Sequence, residues 1–221
     1  MQYSEFLSSL KANGIAVFTV AEAAKMLGKS NQYAAKFLQK RNGIEHIEKG
    51  KYCISGASDD AIASHIVYPS YLSLISALRY YNLTNQIPAE KYVITTVRHK
   101  PLLFHKYLIR FIKVDKKLMF GYGEVNGVSV ASPEKAFVDA IYLKKQMWYS
   151  EEFEEGRRRG VISIKKIQDY LARLGSKQLE NGLGLMKNRN LKGHPGPSKA
   201  LQKARADANG FGERRKDKLH S

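Results

Sequence analysis

The fold of the N-terminal quarter is decided by residues 18–40, which read FTVAEAAKMLGKSNQYAAKFLQK. Thr19 and Glu22 have the S/T-x-x-E spacing of a capping box, and this spacing predicts the start of a helix. Gly28 stands where the C-terminal cap of that helix needs a positive φ, and Ser30 follows as the N-cap of a second helix over 31–41. Two helices joined by so short a glycine-containing turn cross steeply, which predicts a helix-turn-helix.

The segments around this motif complete a winged helix over residues 1–55. We expect a first helix over 4–13, a short extended piece over 15–18, and a β-hairpin over 43–55 around the Lys49–Gly50 turn. The spacing of small and apolar residues predicts which side chains of the two central helices are buried. They are Ala21, Ala24, Met26 and Leu27 in the first helix, and Ala34, Phe37 and Leu38 in the second.

The outward side of the second helix has the chemistry of a surface that binds double-stranded DNA. Its side chains are amides, a phenol and ammonium groups with no acid among them: Asn31, Gln32, Tyr33, Lys36, Gln39 and Lys40. Amides pair with adenine edges and lysines reach guanine or phosphate, while the helix N-terminus after Ser30 favours a phosphate. We expect Gln32, Tyr33 and Lys36 nearest the bases, and Lys49 and Lys51 of the wing on neighbouring phosphates. The alternative is a winged helix that contacts other proteins and whose charges are merely solvated.

The middle of the chain predicts an α+β domain over residues 62–175, after a linker at Asp59–Asp60. The apolar stretch SHIVYPSYLSLISALRYYNLT, 64–84, has helical spacing, with Pro69 in the first turn. Mostly antiparallel strands are expected over 91–97, 107–114, 120–125 and 128–131, and a last helix over 163–175. Ser132 and Pro133 predict the start of another helix, on which Lys135 and Asp139 have the i, i+4 spacing of an ion pair.

Charge points to a polyanionic partner, and most of the excess lies in the last third of the chain. The sequence has 37 Lys+Arg and 20 Asp+Glu, a net charge of +17, and residues 157–221 contain 17 basic and five acidic residues. From residue 176 onward there is no Val, Ile, Thr, Tyr or Trp, which predicts a disordered basic tail over 176–221. Such a tail either adds non-specific attraction to phosphates or is a solubilising terminus without a selected role.

Other classes of protein lack their signatures in this sequence. We expect no membrane segment and no signal peptide, and the single Cys53 excludes an internal disulfide and fits a reducing cytoplasm. His65, His99 and His105 read as surface histidines rather than metal ligands. Asp115, Lys117 and Glu124 have the residue types of a metal-dependent nuclease, although a turn explains Asp115 and Lys117 equally well. The sequence therefore predicts no catalytic residue, no metal site and no cofactor.

Three segments in this order resemble the AbiEi family of antitoxins from type IV toxin–antitoxin systems, over roughly residues 3–150. They are residues 18–40 with the KGKY wing at 49–52, then ASHIVYPSYLSLISALRYYNLTNQIP at 63–88, then GVSVASPEKAFVDAIY at 127–142. The resemblance implies a winged-helix repressor that binds repeats in its own promoter, joined to a domain that counters a nucleotidyltransferase-like toxin without a tight complex. Beyond residue 150 the family is expected to continue as packed helices, whereas this chain runs into EEFEEGRRRG, which reads as a solvated, self-pairing charge cluster.

The sequence leaves two other functions open beside this one. The first is a DNA-processing enzyme or accessory factor, nuclease-like, that the winged helix brings to its target. The second is a protein-interaction module whose basic tail binds RNA.

Overall fold

A computed structural model describes residues 1–39, 41–86, 88–175 and 182–184 of the chain. Its α-helices are α1 Tyr3–Ala12, α2 Val20–Leu27, α3 Asn31–Leu38, α4 Asp59–His65, α5 Ile75–Tyr80, α6 Pro133–Tyr142, α7 Ser150–Arg158 and α8 Ile164–Arg173. Its strands are β1 Val17–Thr19, β2 Ile44–Glu48, β3 Lys51–Ile54, β4 Ser70–Leu72, β5 Glu90–Thr95, β6 Leu102–Phe104, β7 Tyr107–Lys113, β8 Tyr122–Val125 and β9 Val128–Ala131. The predicted α+β class is confirmed. The candidate residue Lys40 and the predicted tail, apart from 182–184, lie outside the described residues.

The first 54 residues have the element order of a winged helix. The helices α1, α2 and α3 pack beside a three-stranded antiparallel sheet of order β1-β3-β2. Their common core contains Phe6, Leu10, Phe18 and Leu38, all at most 1% exposed. The expected buried side of α2 is partly wrong, because Ala23 and Ala24 are buried whereas Ala21 is exposed.

The chain divides into two compact units, and the division does not follow chain order. Unit 1 consists of Met1–Leu72, Val93–His99 and Ile112–Ala131, and unit 2 of Ser73–Tyr92, Lys100–Phe111 and the described residues from Ser132 onward. The remaining strands follow the order β6-β7-β5-β4-β9-β8, and β5 and β7 each contribute residues to both units. The domain boundaries expected from the sequence stay predictions.

In unit 1 the short strand β4 replaces the helix that was expected over 64–84. Tyr71 pairs antiparallel with Ile94, and Leu72 pairs parallel with Val130, so β4 lies between β5 and β9. Both Tyr71 and Leu72 are fully buried. A strand that is buried on both faces is largely apolar, and in so short a run periodicity does not distinguish it from a helix. The expected helix is therefore wrong between α4 and α5.

Unit 2 contains α6, α7 and α8. Ser132 caps α6 with Pro133 in its first turn, as predicted, and Ser163 caps α8 in the same way. The segment EEFEEGRRRG is not merely solvated: it forms α7, which buries Phe153 and brings Gly156 against Leu83, where an added Cβ would lie 3.4 Å from a Leu83 methyl. The expectation that this segment is only a solvated charge cluster is therefore wrong in part.

The exposed side of α7 does hold the predicted self-pairing charges, Glu154 with Arg157 and Glu155 with Arg158. Within the described ranges, no helix combines the length and the apolar composition that crossing a membrane requires.

Candidate nucleic-acid interface

The starts of α2 and α3 are fixed by hydrogen bonds from their capping residues, and Gly28 forms the turn between the two helices. Glu22 Oε2 accepts the backbone N–H of Thr19 at 2.7 Å, and Thr19 Oγ1 accepts the N–H of Glu22 at 3.2 Å, which completes the capping box. Gly28 ends α2 in the left-handed conformation at φ +62°, and Ser30 Oγ accepts the N–H of Tyr33 at 3.2 Å. The start of α3 is therefore set by local chemistry that the sequence predicted.

The inner side of α3 is anchored by apolar and aromatic contacts. Ala34 and Leu38 are buried in the core, and the Phe37 ring meets the Phe6 ring edge-on with centroids 5.6 Å apart. Arg41 follows the helix and lies over two rings, 5.2 Å from the centroid of Tyr3 and 5.5 Å from that of Phe37. Its Nε also donates to the Phe37 carbonyl at 3.1 Å.

These contacts hold the outer side of α3 in one orientation. The predicted side chains Asn31, Gln32, Tyr33, Lys36 and Gln39, with Ser30 before them, are all exposed. Helix α3 itself has no acidic residue. The Tyr33 ring is 49% exposed and stacks on Phe37 at 6.2 Å, so a phenol stands beside the amides in a fixed position.

The wing hairpin presents its two predicted lysines differently. Lys49 is exposed at the turn between β2 and β3. Lys51 instead pairs with Glu48, with Nζ and Oε1 2.8 Å apart, and His99 Nε2 lies 3.1 Å from both oxygens of the same carboxylate. Burial alone would raise the pKa of Glu48, but the hydrogen bonds from Lys51 and His99 outweigh it and hold the pKa below its ordinary value.

The sequence did not predict this arrangement of the wing or the position of Arg41. Glu48 and His99 are 51 residues apart, and no local pattern connects them. Arg41 follows Lys40 in a basic run, and nothing in that run indicates that the guanidinium group of Arg41 contacts aromatic rings. A cation four residues after an aromatic residue at the end of a helix would have been the only signal.

The residues considered for metal or nuclease chemistry are dispersed. His65 Nε2 lies 3.5 Å from Glu124 Oε1, and the ring of His105 lies 4.2 Å from that of Phe104. Asp115 precedes a 3-10 turn at Lys116–Leu118. Among the described residues, no group of three or more His, Cys, Asp or Glu side chains could hold a metal ion.

The arrangement can therefore place amides, a phenol and an ammonium group along the exposed side of one helix, in the same unit as a wing with an exposed lysine. Such groups bind the edges of bases and the phosphates of a duplex. Comparison of the chain with protein-family models and with curated proteins finds no match.

Proposed function

We propose that this chain is a DNA-binding antitoxin of a type IV toxin–antitoxin system, which represses its own operon and counteracts a nucleotidyltransferase-like toxin. The observation that carries the proposal is the exposed side of α3, which presents Gln32, Tyr33 and Lys36 to solvent on a helix that has no acidic residue. The resemblance of three segments to the AbiEi family supplies the rest of the proposal.

In the proposed complex α3 enters the major groove of double-stranded DNA. The amides of Asn31 and Gln32 read base edges, Lys36 binds a base or an adjoining phosphate, and the N-terminus of the helix faces the backbone. Lys49 of the wing binds a neighbouring phosphate, since its ammonium group has no partner among the described residues. Lys51 must exchange its bond with Glu48 for a phosphate before it contributes.

DNA binding is tested with a duplex that covers the region upstream of the chain's own gene. Fluorescence anisotropy should give specific binding, and Gln32→Ala should weaken it by about five- to 150-fold on that duplex, the equivalent of roughly 1–3 kcal/mol for a lost base contact. A scrambled duplex should show little change, because phosphate contacts carry no sequence information. The matched control is Gln168→Ala, on α8 and also exposed, which should change neither affinity. Equal affinities of the unaltered protein for both duplexes would contradict sequence-specific repression.

The antitoxin half of the proposal is tested by co-expression. If the neighbouring gene encodes a nucleotidyltransferase-like protein, its expression should stop growth, and this chain should restore growth. Pull-down of the two proteins should give no stable complex, because the family implies action against the toxin's effect. A neighbour of another class, or growth that this chain does not restore, would leave only the DNA-binding part of the proposal.

A further inference from the structure

One end of the sheet within unit 1 gathers apolar side chains that are exposed to solvent. The described residues expose five large hydrophobic side chains, and three of them lie here: Tyr68 at 90%, Val97 at 42% and Val125 at 36%. An aromatic ring that stands almost wholly in water loses the stabilisation that burial would give it, and contiguous exposed apolar groups mark binding surfaces.

Hydrogen bonds fix the segments that form this end. Thr95 Oγ1 donates to the Pro69 carbonyl at 2.8 Å, next to the Ser70–Thr95 pair of β4 and β5. The N–H of Val114 donates to the Thr95 carbonyl at 2.8 Å, and Tyr71 Oη donates to the Leu118 carbonyl at 3.3 Å. The residues that follow β5 and β7 and the residues that precede β4 therefore meet at one end of the sheet.

Val125 belongs to the same end because of the direction of β9. Strand β9 runs parallel to β4, and Ser129 Oγ donates to the Ser70 carbonyl at 2.8 Å. The turn between β8 and β9, which starts after Val125, therefore lies on the side where β4 begins.

Four cations lie in the segments that meet at this end: Arg98 after β5, Lys113 at the end of β7, and Lys116 and Lys117 in the turn that follows it. Arg98, Lys113, Lys116 and Lys117 are all exposed, and none has an ion pair or a side-chain hydrogen bond among the described residues. The acids in the same segments are Asp115, which is exposed, and Glu124, which lies against His65. The positive charge at this end is therefore in excess and available to a ligand.

We propose that this surface, formed by Tyr68, Val97, Val125, Arg98, Lys113, Lys116 and Lys117 and here called the Tyr68 surface, is a second nucleic-acid site that binds single-stranded nucleic acid. The Tyr68 ring stacks on an unpaired base, and the four cations bind the phosphates on either side of it. This site includes neither α3 nor Lys49 of the wing, and it takes a different ligand.

The exposed ring favours a single strand over a duplex. Bases in a duplex already stack on one another, so a duplex offers no face to Tyr68, whereas an unpaired base stacks on an aromatic side chain in any sequence. The excess of cations favours nucleic acid over an apolar protein partner, since phosphates need neutralising charge at every nucleotide.

The experiment uses the full chain and two labelled single strands of 12 nucleotides, oligo-dT and oligo-U, which distinguish DNA from RNA. Tyr68→Ala should weaken binding of one strand or both by about five- to 150-fold, as the loss of one base–aromatic stack predicts. Tyr68→Phe should stay within about twofold of the unaltered protein, because it keeps the ring and removes only the hydroxyl. A bromouracil-substituted strand should cross-link to residue 68 in the unaltered protein.

The cations are tested through the dependence of affinity on salt. Changing Arg98, Lys113, Lys116 and Lys117 together to Gln should flatten the slope of log K against log salt by about 0.7 for each lost phosphate contact on a single strand. The control changes Lys144 and Lys165 to Gln, since both are exposed lysines of unit 2, and should leave the slope as it was.

The proposal is overturned if the Tyr68→Ala variant binds both single strands as tightly as the unaltered protein does. It is also overturned if sedimentation shows that this variant changes the self-association of the protein while its affinity for single strands stays the same. The second result would assign the surface to a protein partner. Binding of the upstream duplex is measured in parallel, and Tyr68→Ala should leave it unchanged. Loss of the proposed repressor function is therefore distinguishable from loss of this site.

Discussion

Removing one charge from the buried pair of α6 should destabilise the protein strongly, whereas removing both should not. Lys135 Nζ bonds Asp139 Oδ1, and Ser73 Oγ donates to Asp139 Oδ2 at 2.7 Å. All three residues are 0% exposed. Burial lowers the pKa of Lys135, and the carboxylate of Asp139 opposes that shift, so each charge depends on the other in an environment without water.

The magnitude follows from what each variant leaves behind. Asp139→Asn leaves a buried ammonium group without the carboxylate that faces it, and Lys135→Met leaves a buried carboxylate without its ammonium partner. Breaking a buried pair in this way costs about 3–5 kcal/mol, out of a total stability of about 5–15 kcal/mol for an ordinary domain. The melting temperature of a chain of this size should fall by roughly 6–20 °C for either single variant.

The double variant Lys135→Met with Asp139→Asn should recover most of this loss. It buries no charge, and the new amide still accepts the hydrogen bond of Ser73. Urea unfolding followed by circular dichroism gives the three free energies of unfolding and hence the coupling between the two sites. The control is Arg158→Ala, which breaks the exposed pair with Glu155 and should leave the unfolding midpoint unchanged. A double variant as unstable as the sum of the two single ones would refute the reasoning, because packing rather than charge would then account for the loss.

Three further predictions concern unit 1. Lys49→Ala should flatten the slope of log K against log salt for duplex binding by about 0.9. Lys51→Ala should change this slope less, because Glu48 already holds the ammonium group of Lys51. Equal effects of the two variants would show that the pair of Lys51 and Glu48 does not persist on DNA. Cys53 is buried, and burial raises the pKa of its thiol to about 12. A disulfide reagent at pH 8 should therefore label it only after unfolding. Rapid labelling of the native protein would contradict its burial. Gly28→Ala should lower the free energy of unfolding by about 1–2 kcal/mol in thermal unfolding, because an alanine is strained at φ +62°. The added Cβ meets no atom within 4 Å, so the backbone strain alone accounts for this loss. An unchanged stability would mean that the turn relaxes.

Local signals in the sequence were sufficient for the helix starts. Thr19 with Glu22, Ser30, and Ser132 with Pro133 each satisfy backbone N–H groups within three or four residues, so their effect does not depend on the rest of the fold. The candidate face of α3 followed from these starts, since a helix that begins at a known residue has known faces.

Features that depend on distant partners could not be predicted in this way. Strand β4 exists because β5 and β9 lie on its two sides, and neither partner is visible in the apolar run itself. Helix α7 is rich in charge, and only the burial of Phe153 against its neighbours identifies its inner face. The spacing of Lys135 and Asp139 predicted their ion pair but not its complete burial, because burial is set by the elements packed around α6.

Contacts with other parts of the chain also decide which positive charges are available to a partner. Residues 1–55 contain eight basic and four acidic residues, yet Lys51 is held by Glu48, and Arg41 lies over Tyr3 and Phe37. Lys36 and Lys49 are exposed and have no partner among the described residues, so neither would have to break a bond to bind a phosphate. The number of basic residues in a segment therefore overstates its attraction for DNA where some of them already have partners. The cations available to DNA are those that are both exposed and unpaired, and the salt dependence of binding measures how many of them contact phosphates.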